Sequence, residues 1–269
     1  MTGAEVRPLA GKRVLVTGAS MGIGAAIARA VHRDGAAVAI HFNSDEDGAR
    51  DLAAELGARE SAFELRAREP TAELGVRAHV VGADLSQRGA AEELWASARE
   101  TLGGVDTLIN NAGAWIASPI HDSQGWAQGW EANLQLNLIS AADLCRCALE
   151  DFSSLGGGTI VNITSRSAHR GDDVEHLAYG AAKGGLQSLT KGIARGFGRQ
   201  GVLAYAVSPG WVDTGLAAGA IDDAALAALP LREVTPPEDV AELVAFLASG
   251  RSRHLTGATL DITGADYVR

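Results

Sequence analysis

The chain has 269 residues, of which 46% are hydrophobic and 21% are charged, so it is long enough to form one large α/β domain with a substantial core. Its net charge of −10 argues against nucleic acid or an anionic membrane as a partner. The first residues, MTGAEVRPLAGKR, lack the apolar stretch of a signal peptide, and no apolar run has the length of a membrane span. Cys145 and Cys147 would point apart on a helix, so we expect buried thiols rather than a disulfide. Together these features predict a cytoplasmic protein.

The first strand and the turn after it predict a dinucleotide site. Arg13 to Thr17 form a short apolar run, and Gly18, Gly22 and Gly24 follow before the helical pattern AAIARAVHRDG. In such a turn the backbone N–H groups and the helix dipole face a phosphate, and a Cβ would block the approach of a pyrophosphate. The alternative is a tight β–α turn without a ligand, but the flanking strand and helix favour the dinucleotide site.

The second predicted strand bears on the choice of cofactor. It covers residues 36–42 and ends in HFNS, without the acid that would hold the ribose 2′-OH of NAD and repel the 2′-phosphate of NADP. Asn43 and Ser44 can donate hydrogen bonds to a phosphate, which favours NADP(H) over NAD(H). Two features oppose this choice, because Met21 stands where a basic residue would help and acidic residues begin at Asp45.

A local duplication follows the second strand. A helix is predicted at about 46–57, and the sequence AELGAR at 54–59 returns as AELGVR at 72–77. The residues between the two copies are charged and helix-prone. We therefore interpret residues 58–75 as a surface insertion without a chemical role.

Two strand ends in the middle of the chain carry further candidate contacts. Asp84 and Leu85 follow a strand predicted at 77–81, where a carboxylate could accept a hydrogen bond from an adenine amino group. The alternative is that Asp84 caps the helix predicted at 87–102. The fourth strand, predicted at 105–109, ends in NNAG, whose small residues allow a flat ligand to approach the backbone.

One long amphipathic helix is predicted at about 125–152. Asn137 lies among its apolar residues, where an unpaired amide would be costly, so it is either a buried structural amide or a polar relay. The fifth strand, Gly158 to Ile163, then places Ser165 at the carboxyl edge of the sheet, where ligands bind in open parallel sheets.

Tyr179 and Lys183 form the central candidate pair. They stand four residues apart in a helix predicted at 178–200, so both side chains lie on one face. An ammonium close to a phenol lowers the pKa of the phenol, so the pair could exchange a proton near neutral pH while Ser165 holds a carbonyl oxygen. The alternative is a solvated lysine beside a core tyrosine, because Y-x-x-x-K is common in helices.

The last third of the chain completes the predicted sheet. A sixth strand at 202–207 ends in the turn SPG, and a seventh is predicted at 258–262, after a helix that begins with PPED. Residues 211–232, which follow the turn, are rich in alanine. We interpret them as a segment that covers the substrate.

The order and spacing of these motifs resemble the short-chain dehydrogenase/reductase family. The matching motifs are TGxxxGIG from Thr17, NNAG from Asn110, Ser165, Tyr179-x-x-x-Lys183 and Pro209-Gly210. The resemblance covers about residues 9–264 and is closest to shorter members such as β-ketoacyl carrier-protein reductases and related carbonyl reductases. It implies an α/β, single-domain, doubly wound Rossmann fold over residues 1–269, with a seven-stranded, mainly parallel sheet and helices on both faces.

The resemblance also implies roles for individual residues. Tyr179 would be the general acid in carbonyl reduction or the base in alcohol oxidation, Lys183 would lower its pKa and hold the nicotinamide ribose, and Ser165 would bind the substrate oxygen. Ser167 is an alternative, since Ser165 precedes Tyr179 by fourteen residues, one more than is usual. Asn137 would hold a water that relays protons. Asp84 would meet adenine, Asn111 the adenosine ribose, and Thr214 the carboxamide or phosphate side of the cofactor. The implied cofactor contacts are Gly18, Ser20, Met21, Gly22, Ile23, Gly24, Asn43, Ser44, Asp84, Leu85, Asn111, Ala112, Gly113, Tyr179, Lys183, Pro209, Gly210, Val212 and Thr214.

Candidate substrate contacts flank this site. Trp115 and Trp211 directly follow the NNAG and PG turns, and they either pack on an apolar substrate or fill the loops. His169 lies in the segment that usually lines the substrate pocket of the family. Arg166 and Arg170 lie close to it and either meet an anionic substrate group or are solvated.

The resulting hypothesis is an NADP(H)-dependent enzyme, without a metal, that interconverts a ketone or 3-oxo group of a small molecule and a secondary alcohol. One alternative is an NAD-dependent alcohol dehydrogenase of the same family. A sugar-nucleotide epimerase or dehydratase is disfavoured because the chain has no room for a second domain. A cofactor-binding regulatory protein without turnover is disfavoured by the intact Tyr179/Lys183 pair. The family also suggests a homotetramer, with contacts through the helices at 125–152 and 178–200 and the seventh strand.

Overall fold

A computed structural model describes residues 7–64, 77–214 and 223–269, in which strands and helices alternate along the chain. The strands are β1 (Arg13–Val16), β2 (Ala37–Phe42), β3 (Ala78–Gly82), β4 (Thr107–Asn110), β5 (Gly158–Ile163), β6 (Val202–Pro209) and β7 (Thr259–Ile262). The helices are α1 (Gly22–Arg33), α2 (Glu46–Glu64), α3 (Ala90–Leu102), α4 (Ser123–Leu134), α5 (Ser140–Leu155), α6 (Ser167–Arg170), α7 (Leu177–Phe197), α8 (Asp223–Ala228) and α9 (Pro237–Ala248).

These strands form one sheet in the order β3-β2-β1-β4-β5-β6-β7, and every neighbouring pair is parallel. Parallel strands connected by helices are covered on both faces, which explains why β1 and β6 are almost continuous apolar runs. The predicted doubly wound Rossmann fold is therefore confirmed. The sheet is parallel throughout the described residues.

The sheet separates two hydrophobic layers. Val14 and Val16 of β1 belong to one layer and Leu15 to the other, because successive side chains of a strand point to opposite faces. The first layer contains residues of α1, α2 and α9, and the second contains residues of α3, α5 and α7. Since helices cover both faces, the carboxyl edge of the sheet is the natural place for a ligand.

The direction of winding changes between β1 and β4. Leu15 of β1 lies beside Ala39 of β2 on one side and beside Leu108 of β4 on the other. The loops that leave β1 and β4 therefore diverge at their carboxyl ends and open a crevice, the usual ligand position in open α/β sheets. The glycine-rich turn after β1 and the NNAG turn after β4 border this crevice.

The helix predicted at 125–152 is present, but a π-helical turn that the sequence did not reveal divides it. Helix α4 ends at Leu134, a π-helical turn spans Gln135–Ile139, and α5 begins at Ser140. A π turn changes the hydrogen-bond spacing by one residue, and an apolar pattern does not reveal it because the same side chains still reach the core. Helix α3 also begins at Ala90 rather than at residue 87, since Gly89 before it has a φ of 87°.

Two predicted segments fall partly outside the described residues. Of the surface insertion predicted at 58–75, residues 65–75 are not described, and α2 runs as far as Glu64. Of the substrate-covering segment predicted at 211–232, residues 215–222 are not described. Both interpretations therefore stay predictions.

Two sequence expectations concern membranes and thiols. Over the ranges that the structure covers, none of the helices combines the length and the apolar character needed to cross a membrane. Cys145 and Cys147 are free thiols in buried positions, as expected. Burial raises the pKa of Cys145 to about 12, so this thiol stays protonated and packs as a small apolar side chain.

Candidate active site

A cavity of about 1240 Å³ follows the carboxyl edge of the sheet. It brings together most of the residues that the sequence singled out. These are Gly18, Ser20, Met21, Gly22, Ile23, Gly24, Asn43, Ser44, Leu85, Asn111, Ala112, Gly113, Trp115, Ser165, Tyr179, Lys183, Pro209, Gly210, Trp211, Val212 and Thr214. Asp84, Asn137 and His169 do not line it.

The glycine-rich turn after β1 is packed too closely for side chains. Gly18 and Gly22 have φ values of 60° and 55°, which favour glycine. A Cβ at Gly24 would lie 2.1 Å from the carbonyl oxygen of Gly18 and 2.6 Å from Nδ2 of Asn111. The turn therefore exposes backbone N–H groups to the cavity at the start of α1, where a pyrophosphate fits without steric hindrance.

Asn111 and Thr17 fasten this turn to the end of β4. Nδ2 of Asn111 donates to the carbonyl oxygens of Thr17 and Gly18 over 2.9 and 3.0 Å. Oγ1 of Thr17 accepts from the backbone N–H groups of Asn111 and Ala112, each over 2.9 Å. The amide of Asn111 thus holds the glycine-rich turn, and its predicted contact with the adenosine ribose stays a prediction.

His41 near the end of β2 is a site residue that sequence reasoning missed. Its Nδ1 accepts from the backbone N–H of Gly18 over 2.9 Å, and its Nε2 lies 3.1 Å from the carbonyl oxygen of Ala83. Burial lowers the pKa of His41 to about 4, so the ring is neutral, with its proton on Nε2 to satisfy Ala83. The sequence did offer one indication of this role, because His41 is a polar residue in an otherwise apolar strand.

The ribose end of the cavity contains Asn43 and Ser44, as predicted, together with Asp45. Oδ1 of Asp45 accepts from the backbone N–H of Gly48 over 3.1 Å, so this carboxylate caps the first turn of α2. Met21 also lines this end, and its side chain is 60% exposed. Asp45 keeps its negative charge in this hydrogen bond, so Met21 and Asp45 still oppose a 2′-phosphate at this end of the cavity.

Asp84 makes only local contacts. Its Oδ1 accepts from the backbone N–H and the hydroxyl of Ser86 over 3.0 and 2.7 Å, and its Oδ2 accepts from Gln87 over 3.3 Å. The hydrogen bonds from Ser86 lower the pKa of Asp84. This carboxylate stabilises the turn before α3, a role similar to the helix cap that was the alternative for Asp84. Its predicted contact with adenine stays untested.

The three predicted catalytic residues meet where β5 and α7 approach each other. Nζ of Lys183 donates to the carbonyl oxygen of Ile163, the last residue of β5, over 3.0 Å and lies 5.8 Å from the ring centroid of Tyr179. Oγ of Ser165 accepts from the backbone N–H of Ser167 over 3.1 Å and is also hydrogen-bonded to Tyr179. A carbonyl group in the cavity would therefore face two hydroxyl donors with an ammonium behind them.

The proton affinities of the pair differ from the sequence expectation. Burial raises the pKa of Tyr179 to about 12, and the hydrogen bond with Ser165 offsets only part of this effect. Burial lowers the pKa of Lys183 to about 8. The expected lowering of the Tyr179 pKa by the ammonium is absent because the cost of burying the phenolate is larger. At neutral pH, Tyr179 is a neutral phenol and Lys183 is mainly protonated.

Asn137 sits in the π-helical turn between α4 and α5 and is buried. Its Oδ1 accepts from the backbone N–H of Ala114 over 3.1 Å, and its Nδ2 donates to the carbonyl oxygen of Ala114 over 2.9 Å and to Oδ1 of Asn133 over 3.1 Å. A Cβ at Gly113 would lie 2.6 Å from Oδ1 of Asn137 and 3.2 Å from Nζ of Lys183. The amide is thus a buried structural group beside Lys183, and the proton relay stays a prediction.

An aromatic cluster borders the cavity beyond Tyr179. Trp115 stacks on His176 with ring centroids 3.6 Å apart and meets the edge of Trp211 at 6.1 Å. The guanidinium of Arg166 lies 4.8 Å from the ring centroid of Trp211. Sequence reasoning found both tryptophans but missed His176, which precedes α7 and has no spacing signal to either of them.

Arg166 and His169, which follow Ser165, both contact residues near the end of the chain. Arg166, which is 6% exposed, forms an ion pair with Asp266. His169 stacks on Tyr267 with ring centroids 6.0 Å apart and faces away from the cavity lining. The structure therefore gives His169 a packing contact, whereas its predicted substrate contact remains untested.

Comparison with known proteins agrees with this geometry. A family model described as enoyl-(acyl carrier protein) reductase matches residues 58–264. The chain is 35% identical over 263 residues to 3β-hydroxysteroid dehydrogenase 1 of Eggerthella lenta, with 95% of this chain and 94% of that protein aligned. It is 34% identical over 254 residues to cis-4-hydroxycyclohexanecarboxylate dehydrogenase of Sinomonas cyclohexanicum, with 93% and 94% aligned.

A solved structure extends the similarity to three dimensions. A short-chain dehydrogenase from Burkholderia cenocepacia in complex with NADP matches with a TM-score of 0.83 and 33% identity, covering 96% of this chain and 98% of that one. The chain therefore belongs to the short-chain dehydrogenase/reductase family and is an NAD(P)-dependent oxidoreductase.

Proposed function

We propose that the protein interconverts a ketone or 3-oxo group and a secondary alcohol, with NADP(H) as its preferred cofactor and Tyr179 as the proton donor and acceptor. The observation that carries this proposal is that Tyr179, Ser165 and Lys183 line one cavity at the open edge of the sheet, with Nζ of Lys183 5.8 Å from the ring centroid of Tyr179. Two relatives are named as dehydrogenases of a hydroxysteroid and of a hydroxycyclohexanecarboxylate, and these names agree with secondary-alcohol chemistry.

The cofactor, when bound, supplies or accepts the hydride. In the reductive direction Tyr179 holds its proton at neutral pH and donates it to the carbonyl oxygen as negative charge develops there. Oγ of Ser165 accepts from the backbone N–H of Ser167, so its hydroxyl hydrogen can turn from Tyr179 to the same oxygen when substrate binds. The ammonium of Lys183 stabilises the phenolate that remains on Tyr179, at a place where burial makes this charge costly.

The preference for NADP(H) rests on the end of β2. Asn43 and Ser44 line the cavity there, and both side chains can donate hydrogen bonds to a 2′-phosphate. The nearest carboxylate, Asp45, is occupied by the backbone N–H of Gly48 and cannot hold a ribose hydroxyl equally well. A related structure was solved with NADP. An NAD-dependent alcohol dehydrogenase of the same family is the second candidate, supported by the acidic residues that begin at Asp45.

The test combines cofactor binding with one substitution. NADPH and NADH are titrated by the fluorescence of the reduced nicotinamide, and we expect NADPH to bind about tenfold more tightly, the value of one or two charge-assisted hydrogen bonds. Tyr179→Phe is then assayed for ketone reduction with NADPH, and kcat should fall by about a hundredfold or more because the proton donor is lost. Tyr205→Phe is the matched control, since this buried phenol lies outside the cavity lining and donates to Ser252.

Each result has a distinct meaning. Tighter binding of NADH would overturn the cofactor preference and favour the NAD-dependent alcohol dehydrogenase. Unchanged turnover in Tyr179→Phe would remove the proposed role of the tyrosine. Binding of cofactor without turnover of any ketone or alcohol would favour a regulatory protein that only binds the cofactor.

A further inference from the structure

The aromatic cluster beyond Tyr179 is held rigidly by contacts inside the protein. Trp115 is fixed by its stack on His176, whose Nδ1 lies 2.7 Å from Oδ1 of Asp173. Trp211 is fixed between Trp115, to which its ring is almost perpendicular, and the guanidinium of Arg166. The remaining surfaces of both indoles line the cavity. The substrate therefore meets two pre-oriented apolar planes, which cost little entropy to use.

Several polar groups around these planes are engaged with the protein. Oδ1 of Asp172 accepts from the backbone N–H of Asp173 over 2.9 Å, and Oδ1 of Asp173 accepts from the backbone N–H of Glu175 over 2.9 Å. Arg166 is stacked on an indole and paired with Asp266. Arg170 also lines the cavity, so the apolar part of this wall is the pair of indoles rather than the whole side.

We propose that the substrate is an apolar ring compound, a cyclic ketone or the corresponding cyclic secondary alcohol, whose ring packs on Trp115 and Trp211 while its oxygen meets Tyr179 and Ser165. This inference rests on the proposed function and adds the substrate class. It also assigns His176 and Arg166 as positioning residues, because they hold the two indoles and do not contact the reacting atoms.

The shape and polarity of the wall favour a ring over other substrates. A ring presents a flat or gently puckered apolar face that matches an indole plane, and it loses little rotamer freedom on binding. An extended acyl chain of the same size must freeze several bonds to make the same contact. A sugar would bury hydroxyl groups against indoles, and each unpaired hydroxyl costs binding free energy.

The experiment compares two ketones of equal carbon number and a sugar. Decalone, a fused-ring ketone, and methyl octyl ketone, an open-chain ketone, are reduced with NADPH, and D-glucose is offered with the oxidised cofactor as a polyhydroxylated ring. We expect kcat/KM for decalone to exceed that for methyl octyl ketone by about tenfold, and D-glucose to give no measurable rate. The difference should lie mainly in KM, because the wall binds the ring and leaves the proton transfer unchanged.

Variants of the wall link this preference to the tryptophans. Trp115→Leu and Trp211→Leu should each lower kcat/KM for decalone by about tenfold and for methyl octyl ketone by about threefold or less. Leucine keeps the positions apolar, and a thermal melt verifies that each variant folds. Trp126→Leu is the matched control, since Trp126 packs on Trp130 in α4, lies outside the cavity lining, and should leave both substrates unaffected.

The ring assignment and the proposed function can fail separately. Equal kcat/KM for the two ketones, turnover of D-glucose, or an equal loss for both ketones in the tryptophan variants would overturn the ring assignment while the oxidoreductase activity stands. If no ketone is turned over, the proposed function fails. Calorimetric titration of the NADPH complex with both ketones then still tests whether the aromatic wall prefers a ring. Tighter binding of decalone supports the aromatic wall as a ring site, and equal or weaker binding overturns it.

Discussion

At the scale of single residues, Gly24 shows how strictly the cofactor turn is packed. A Cβ at this position would lie 2.1 Å from a backbone oxygen, which no rotamer can relieve. We therefore expect Gly24→Ala to weaken NADPH binding by about a hundredfold or more, because the turn must open to admit the methyl group. The measurement is the same fluorescence titration that compares NADPH with NADH.

Gly192 in α7 provides the control for Gly24. This glycine is exposed, and a Cβ there meets nothing within 4 Å. Gly192→Ala should raise the free energy of unfolding by about 0.5–1 kcal/mol, because alanine loses less backbone entropy in a helix. It should also leave NADPH binding unchanged. Equal NADPH affinity in both variants would show that the packing at Gly24 does not shape the cofactor site.

His41 makes a second residue-scale prediction, which depends on pH. Its pKa is about 4 in the folded protein and near 6.5 in an unfolded chain. The unfolded state therefore binds more protons between these values, and stability falls as the pH drops from about 6.5 towards 4. From pH 7 to pH 5 we expect this residue alone to remove about 2 kcal/mol from the free energy of unfolding.

The substitution His41→Gln isolates this contribution. Glutamine has no proton to take up, and its amide can still reach the backbone near Gly18 or Ala83. Denaturant unfolding at pH 7 and pH 5 should show a smaller loss for the variant than for the wild type, by about 2 kcal/mol. His169 shifts in the same direction in both proteins, so it cancels in the comparison. An equal loss in the two proteins would mean that His41 is not buried as a neutral ring.

The sequence predicted the glycines but not His41, and the reason is physical. Glycines in a β–α turn carry their own signal, since spacing and backbone freedom are local properties. The role of His41 depends on atoms of Gly18 and Ala83, which reach it only when β1, β2 and β3 align. The Tyr179 pKa was mistaken for a similar reason, because the amount of burial around a phenol cannot be read from a four-residue spacing.

At the scale of elements, the π-helical turn Gln135–Ile139 is the feature that periodicity could not predict. Strand bounds were predicted to within about two residues, since apolar runs end where the chain leaves the sheet. The apolar neighbours of Asn137 singled it out in the sequence, but left open whether it is a buried structural amide or a polar relay. Its partner, the backbone of Ala114, lies on the loop after β4, and only the fold brings the two together.

The contacts of Asn137 predict the outcome of its removal. Asn137→Ala would leave the N–H and the carbonyl oxygen of Ala114 without their side-chain partner, beside Lys183. We expect a loss of about 1–3 kcal/mol in the free energy of unfolding, from unsatisfied buried groups. The loop after β4 should also loosen, so KM for NADPH should rise.

Ser140→Ala serves as the control for Asn137. Its hydroxyl also sits at the π-helical turn, but it donates only to the carbonyl oxygen of Leu136 within the same helix. Denaturant unfolding and NADPH kinetics are measured for both variants. Ser140→Ala should cost less than about 1 kcal/mol and leave KM unchanged. A similar rise of KM in both variants would argue that the turn itself, rather than the link from Asn137 to Ala114, positions the loop.

At the scale of the whole molecule, the end of the chain contacts the segment that follows Ser165. Arg269 pairs with Asp261 at the exposed edge of β7, and Tyr267 stacks on His169 of α6. Asp266 reaches the buried guanidinium of Arg166, which follows Ser165 directly. Nothing in the spacing of the sequence could assign this partner, because the pairing depends on where β7 ends relative to β5.

This arrangement predicts that Asp266→Asn is costly. The variant keeps the shape of the side chain but leaves the buried Arg166 guanidinium with only Asp172 as a compensating charge, and removing one partner of a buried pair costs about 3–5 kcal/mol at most. The matched control is Asp261→Asn, whose partner Arg269 is 39% exposed, so it should cost about 1 kcal/mol or less. Both are compared by denaturant unfolding at neutral pH.

The double variant Asp266→Asn with Arg166→Met separates charge burial from general damage to the end of the chain. Methionine fills similar space without a charge, so the double variant should recover at least half of the stability that Asp266→Asn loses. Because methionine places no cation on Trp211, the double variant should still show a raised KM for decalone even though its stability is partly restored. If Asp266→Asn costs no more than Asp261→Asn, the carboxylate does not balance Arg166, and the end of the chain does not support the aromatic wall through this pair.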